Sequence, residues 1–200
     1  MPQIAVSIPW QPRHARALME RARIADESGV HSIWVNEGFG HDAFSGLTLL
    51  AWHTSRARLG TSIVNVFSRT PGALAQHFAT LDELSNGRMM IGLGSSAPGP
   101  IERFHGVPYR DAVDRLRETS ELIRAYWGHE RESHHGPSFT IDRPLPLGAE
   151  PVQPAPPIYL ATLHPRSVRL TAEIADGWLP AWIPLDGLRV AVQALRAHAA

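Results

Sequence analysis

Residues 58–94 read RLGTSIVNVFSRTPGALAQHFATLDELSNGRMMIGLG, and this stretch decides the fold. Arg58 to Val64 is a short run of apolar and β-branched residues, which predicts a buried strand. Pro71 opens a helix expected over Gly72 to Ser85, since its fixed φ suits the first helical position. Asn86 and Gly87 end that helix. Arg88 to Leu93 then predicts a second buried strand running into Gly94. Small residues close both strands: Gly60, Thr61 and Ser62 in the first, Gly92, Gly94, Ser95 and Ser96 in the second. Small side chains let backbone amides approach a flat ring or an anion. In a parallel α/β barrel the carboxyl ends of the strands form the face that carries chemistry. A cofactor site at these two tips is the expectation.

Working outward, Ile4 to Ile8 predicts a strand and Arg13 to Ser28 a helix closed by Gly29. Ser32 to Asn36 reads as a strand and Phe44 to Ser55 as a helix, with Leu47, Leu50 and Ala51 at helical spacing. Beyond Gly94, Tyr109 to Trp127 repeats Val113, Leu116, Ile123 and Tyr126 as an amphipathic helix does. Residues 128–157 are proline-rich and aperiodic, so an insertion is expected there, with at most a hairpin around Ser138 to Ile141, over the barrel mouth or flank. Pro157 to Ala161 is read as a strand, Pro165 to Ala175 as a helix, Gly177 to Pro180 as a short strand and Leu185 to Ala199 as a last helix.

These are six strand–helix units, and a (β/α)8 barrel has eight and takes about 250 residues. Residues 1–200 are therefore expected to form one α/β domain, a TIM-barrel-like (β/α)8 fold left incomplete at its C-terminal end. Open sheet edges expose backbone donors and acceptors, which favours association, so a homodimer is expected. The shortness admits a fragment, a shortened paralogue or half of a split barrel.

Composition narrows the function. Nineteen basic and nineteen acidic residues balance, leaving no electrostatic footprint for nucleic acid or an anionic membrane. With no cysteine, a disulfide framework and a thiolate metal site are impossible. The opening MPQIAVSIPW lacks a charged leader and long apolar core, so a cytoplasmic protein is the expectation. Eleven histidines invite a metal reading, but His129, His134 and His135 lack an accompanying carboxylate at ligand spacing, and no metal site is predicted. The run GLGSSAPG lacks the spacing of a nucleophile elbow, and no dinucleotide fingerprint is present.

Four segments, GVHSIWVNEGFGHDAF (29–44), residues 58–96, RLRETSELIRAYW (115–127) and PPIYLATLHPRSVRLTAEIADGW (156–178), resemble in order the luciferase-like monooxygenase family. The likeness is closest to the branch that uses the deazaflavin coenzyme F420. The resemblance implies a barrel of the bacterial luciferase type and hydride transfer between F420 and a small organic substrate. A monooxygenase using FMN is the alternative, and a non-catalytic cofactor-binding remnant a second one.

The same resemblance implies a non-prolyl cis peptide between Ser62 and Ile63 behind the ring. It places Gly94, Ser95 and Ser96 at the ring edge, and Ala161, Thr162, Leu163 and His164 near the cofactor phosphate. The amides of this last loop precede a helix and so suit an anion, although Leu163 and His164 are bulkier than the usual glycines. Glu37 stands where relatives carry an acidic residue near the reacting carbon, beside apolar Trp34 and Phe39, so proton exchange with a raised pKa is one reading and a solvated loop acid the other. Gly38 stands where some relatives carry a histidine, which leaves His41 or Asp42 as possible proton donors. Asn65 either bonds a ring or substrate oxygen or stabilises a turn. Arg69 either pairs with an anionic group or lies on the surface. Relatives that oxidise a sugar phosphate carry an acid and an amide where this chain has Ala97 and Pro100, so that substrate is not expected. Trp34, Phe39, Phe67 and Trp182 shape an apolar pocket or belong to the core.

Overall fold

The computed structural model describes residues 3–9 and 15–198. Along the chain run β1 (Ala5–Ser7), α1 (Ala15–Glu27), β2 (Ser32–Val35), α2 (Ala43–His53), β3 (Arg58–Thr61), β4 (Val64–Asn65), α3 (Pro71–Leu84) and β5 (Met89–Gly94). They are followed by α4 (Pro98–Phe104), α5 (Ala112–Trp127), β6 (His134–His135), β7 (Thr140–Ile141), β8 (Ile158–Ala161), α6 (Pro165–Ile174), β9 (Gly177–Trp178) and α7 (Leu185–His198). The main sheet has the order β1-β2-β3-β5-β8-β9, with every pairing parallel and β4 continuing the line of β3 against β5.

The sheet curls. Trp34 of β2 meets Tyr159 of β8 edge to face at 5.2 Å, although two strands lie between them. Strands stand about 4.8 Å apart, so a flat sheet would hold these rings well out of contact. The edge strand β1 and the segment after the opposite edge strand, Leu179 to Ala181, likewise line one hollow. This is an incomplete barrel, as expected.

Burial follows the sequence pattern. All six residues of β5 are buried, and α2, α3 and α5 pack Leu47, Leu50, Leu74, Phe78, Leu116 and Ile123 onto the outer face of the sheet. Thr70 caps α3 by accepting from Ala73 N, with Pro71 at its first turn. Asn86 and Gly87 close it in left-handed backbone, φ 55° and 76°. By contrast α7 buries no residue.

Three features differ from expectation. The strand expected over Arg58 to Val64 breaks after Thr61 and resumes at Val64, because a bulge intervenes. A helix not anticipated, α4, occupies residues 98–104, its two prolines near the start compatible with a first turn that needs no N–H partner. The long helix begins at Ala112 rather than Tyr109. Residues Arg13 and Ala199, where two helices were expected to start and end, lie outside the described residues.

The proline-rich excursion runs along the flank and not over the mouth. Its hairpin, β6 and β7, is held by Glu118 of α5, which accepts from Ser138 N and Phe139 N and contacts His134 Nε2 at 2.9 Å. Further on, Gln153 binds Asp82 and the Met89 carbonyl and accepts from Arg58, at the amino ends of β3 and β5. The excursion's amides at Ser138, Phe139 and Gln153 donate to carboxylates of α5 and α3, which supply the attachment.

Candidate functional site

The bulge after β3 is built by Thr61. Pairing of β3 with β5 matches Gly60 to Met90, whereas β4 matches Val64 to Leu93, so the offset falls from 30 to 29 and one residue is extra. The Thr61 hydroxyl fills the gap in the ladder, donating to the Gly92 carbonyl at 2.7 Å and accepting from Gly92 N at 3.0 Å. Gly92 must be glycine here, since a Cβ would lie 1.7 Å from the Thr61 carbonyl oxygen. The peptide bond between Ser62 and Ile63 is cis, as expected.

Ser62 and Ile63 then face an apolar hollow of about 340 Å³, lined also by Ser7, Trp34, Ala161 and Leu179. Its size falls in the range of small-molecule sites. Gly94 lies between Ile63 and Ala161, its virtual Cβ 3.0 Å from Ile63 Cδ1 and 3.5 Å from Ala161 Cβ. The structure therefore gathers Ser62, Ile63 and Ala161 around one opening at the carboxyl ends of the strands, with Gly94 buried behind Ile63. Ser95 and Ser96 follow directly, held by the Tyr109 hydroxyl, which meets Ser95 Oγ and the Ser96 carbonyl at 3.3 Å each.

Not every small residue serves a ligand. Room at Gly60 is taken by the Trp34 ring, 2.6 Å from a virtual Cβ, and room at Gly92 by the Thr61 carbonyl. These two glycines permit protein to pack on protein, whereas the sequence reading gave all the strand-end glycines to a ligand.

Thr162, Leu163 and His164 continue from Ala161 to the start of α6. Thr162 is buried, its hydroxyl 2.7 Å from that of Thr171, and its carbonyl accepts from Trp178 Nε1. Leu163 and His164 are exposed. Their bulk lies in solvent, and the loop makes no side-chain cap to α6.

A second, charged cleft of about 250 Å³ opens on the same face, lined by Glu37, Gly38, Gly40, His41, Asp42, Ser68, Arg69, Phe104 and His105. Glu37 lies here in surroundings unlike those expected. Arg69 grips both its oxygens, at 2.6 and 2.9 Å, and Ala43 N donates to Oε2 at 3.0 Å. Arg69 is thus paired within the protein. Asp42, 3.8 Å from Arg69, caps α2 through Phe44 N and Ser45 N. Burial, followed by the charge of Arg69, holds His77 below the usual imidazole value.

Asn65 makes the turn that was one of the two readings of it. Its Oδ1 accepts from Phe67 N at 3.0 Å and Ser68 N at 2.8 Å, which makes a turn, while Nδ2 reaches toward His105 Nε2 at 3.4 Å. Among the aromatics, Trp34 lines the hollow, Phe67 is buried against Tyr109, and Phe39 pairs edge to face with Phe104 at the mouth. Trp182 is fully exposed. His105 and Tyr109 were missed because residues 97–108 carry no periodicity, although Gly106, at φ 68°, marks a helix end after His105. Among the described residues, no group of three or more histidines and carboxylates could hold a metal.

This geometry, a curled parallel sheet with a cis bulge beside a hollow, can be set against known proteins. The family model for luciferase-like monooxygenases matches residues 3–200. The chain belongs to the luciferase-like monooxygenase family. One relative in that family, an F420-dependent hydroxymycolic acid dehydrogenase of Mycobacterium tuberculosis, is 33% identical over 81% of this chain and 48% of its own. A monooxygenase from Streptomyces bottropensis superposes with a TM-score of 0.85 at 26% identity, over 94% of this chain and 60% of that one. The coenzyme F420-dependent tetrahydromethanopterin reductase of Methanopyrus kandleri shares the fold, with a TM-score of 0.90 at 22% identity, over 98% of this chain and 60% of that one. The chain spans about half the length of the curated relatives it matches.

Proposed function

We propose that this chain is an F420-dependent oxidoreductase that passes hydride between the deazaflavin and a small organic substrate. The observation that carries the reading is the Thr61–Gly92 bulge presenting Ser62 and Ile63 to an apolar hollow beside Gly94 and Ala161. A flat ring fits that lining. Several relatives at about 30% identity are named for F420, which supports this cofactor over others. When bound, F420 supplies the two-electron redox chemistry. The chain's own part is to hold the ring with Ser62, Ile63, Gly94 and Ala161, and to offer amides at Ser95, Ser96 and Thr162 to His164 to its polar periphery. Glu37, gripped by Arg69, shapes the neighbouring cleft and is the acid proposed for proton exchange.

The test is binding. Deazaflavin fluorescence should change saturably on titration with the protein, and Ala161→Trp, which fills the hollow, should weaken binding by roughly tenfold or more, about 1.4 kcal/mol. Unchanged circular dichroism guards against misfolding. Binding of FMN but not F420 would favour the second reading, an FMN monooxygenase, for which the likeness to the Streptomyces enzyme supports the monooxygenase part. We further propose a cytoplasmic homodimer, for which the open edges at β1 and β9 are the physical ground.

A further inference from the structure

Beside the charged cleft, α4 and the loop after β2 enclose an apolar hollow of about 350 Å³, lined by Phe39, Gly99, Pro100, Arg103 and Phe104. Helical spacing explains the lining. Pro100, Arg103 and Phe104 stand three and four residues apart and so share one side of α4, while Ile101 is fully buried against the barrel. Phe39 meets Phe104 edge to face at 5.4 Å, yet the two residues remain 67% and 56% exposed. A Cβ built at Gly99 would meet no atom within 4 Å, so the space over the helix is open. Two aromatic rings left in water at one corner forgo the burial that ordinarily stabilises them, and a flat apolar group entering the corner restores it.

Charge narrows the choice of ligand. The exposed Arg103 side chain makes no hydrogen bond or ion pair with any described residue. Nearby acids are engaged elsewhere. Glu102 Oε1 accepts from Tyr109 N at 3.4 Å, and Glu37 and Asp42 are held by Arg69 and by amides of α2. A surface arginine needs no partner of its own, but a guanidinium lining an aromatic hollow presents a planar fork of donors that matches a carboxylate.

We propose that this hollow binds a carboxylate carried on a flat apolar body, with Arg103 pairing the carboxylate and Phe39 and Phe104 contacting the body. The site lies on α4 and the loop after β2, shares none of its lining with the hollow of Ser62 and Ile63, and does not rest on the cofactor reading. It distinguishes anionic apolar molecules from neutral ones of the same shape.

Fluorescence titration with 2-naphthoate tests this, with 2-naphthamide as the neutral counterpart. Naphthoate is expected to bind saturably and about fivefold more tightly than the amide, the scale of an exposed ion pair. Arg103→Gln should remove that difference and leave naphthamide binding unchanged, whereas Phe104→Ala should weaken both ligands. Both side chains are exposed, and circular dichroism matching that of the unaltered protein confirms folding of each variant. Equal affinities for the two ligands, a naphthoate preference that survives Arg103→Gln, or affinities untouched by Phe104→Ala overturn the proposal. So does a fall in mass by light scattering on Phe104→Ala, which would assign the two rings to a contact between copies of this chain.

Discussion

At Asp26 one carboxylate organises a whole turn. It accepts from Ser55 N, Arg56 N and Ala57 N, at 2.8, 3.0 and 2.6 Å, and ties α1 to the start of β3. Burial acts to raise its pKa, but the backbone donors at Ala57, Ser55 and Arg56 outweigh it, and the carboxyl rests below its ordinary value of 3.8. A depressed carboxyl contributes stability that is complete above that ordinary value and is lost as pH falls through the lower, folded one. Asp26→Asn should therefore lower stability by about 1–3 kcal/mol near neutrality, since one acceptor becomes a donor facing an N–H. Urea midpoints of the two proteins should converge as the medium is acidified below 3.8. Glu37 is the second residue with a defined cost. Glu37→Gln removes the charge of a side chain only 8% exposed and leaves Arg69 with Asp42 at 3.8 Å, and about 1–3 kcal/mol should be lost in the same measurement.

Among elements, the β3–β4 bulge depends on one hydroxyl and one missing Cβ. Thr61→Val keeps shape and removes both bonds to Gly92, leaving the buried Gly92 N–H without its Thr61 acceptor, for a loss of about 1–3 kcal/mol. Gly92→Ala cannot be accommodated without moving the Thr61 carbonyl, and should cost about 3 kcal/mol and displace the hollow. Thermal unfolding reads the first effect, and F420 fluorescence reads the displacement in the second. If Gly92→Ala binds F420 like the unaltered chain, the bulge does not shape the cofactor site. Buried pairs also hold the excursion, through Gln153 on Asp82 and through Glu118 on the hairpin. Both partners lie far apart in sequence, so no local pattern announces them.

Considering the molecule as a whole, the parallel sheet has edges at β1 and β9, and α7 presents Leu185 and Val190 to solvent. Light scattering after size-exclusion chromatography should report twice the mass of one chain at micromolar protein, and a monomer would remove the proposed dimer. No helix among the described residues is long and apolar enough to cross a membrane.

Much of the architecture was legible in order and period. Continuous apolar runs at 58–64 and 88–93 announced buried parallel strands, and Pro71, Asn86 and Gly87 bounded the helix between them, because turn and cap chemistry is local. Ser62 and Ile63, with the cis bond, were placed through family likeness, as were Gly94 and Ala161. Tertiary structure alone decided what each small residue is for. Gly60 makes room for Trp34, Gly92 for Thr61 and Gly94 for Ile63, and nothing in a glycine's own sequence neighbours names its partner. It also paired Glu37 with Arg69, 32 residues away, and turned Asn65 toward His105, 40 residues away. Such contacts form only once the strands have paired in parallel, which sets the loops after β2, β4 and β5 side by side at one end of the sheet.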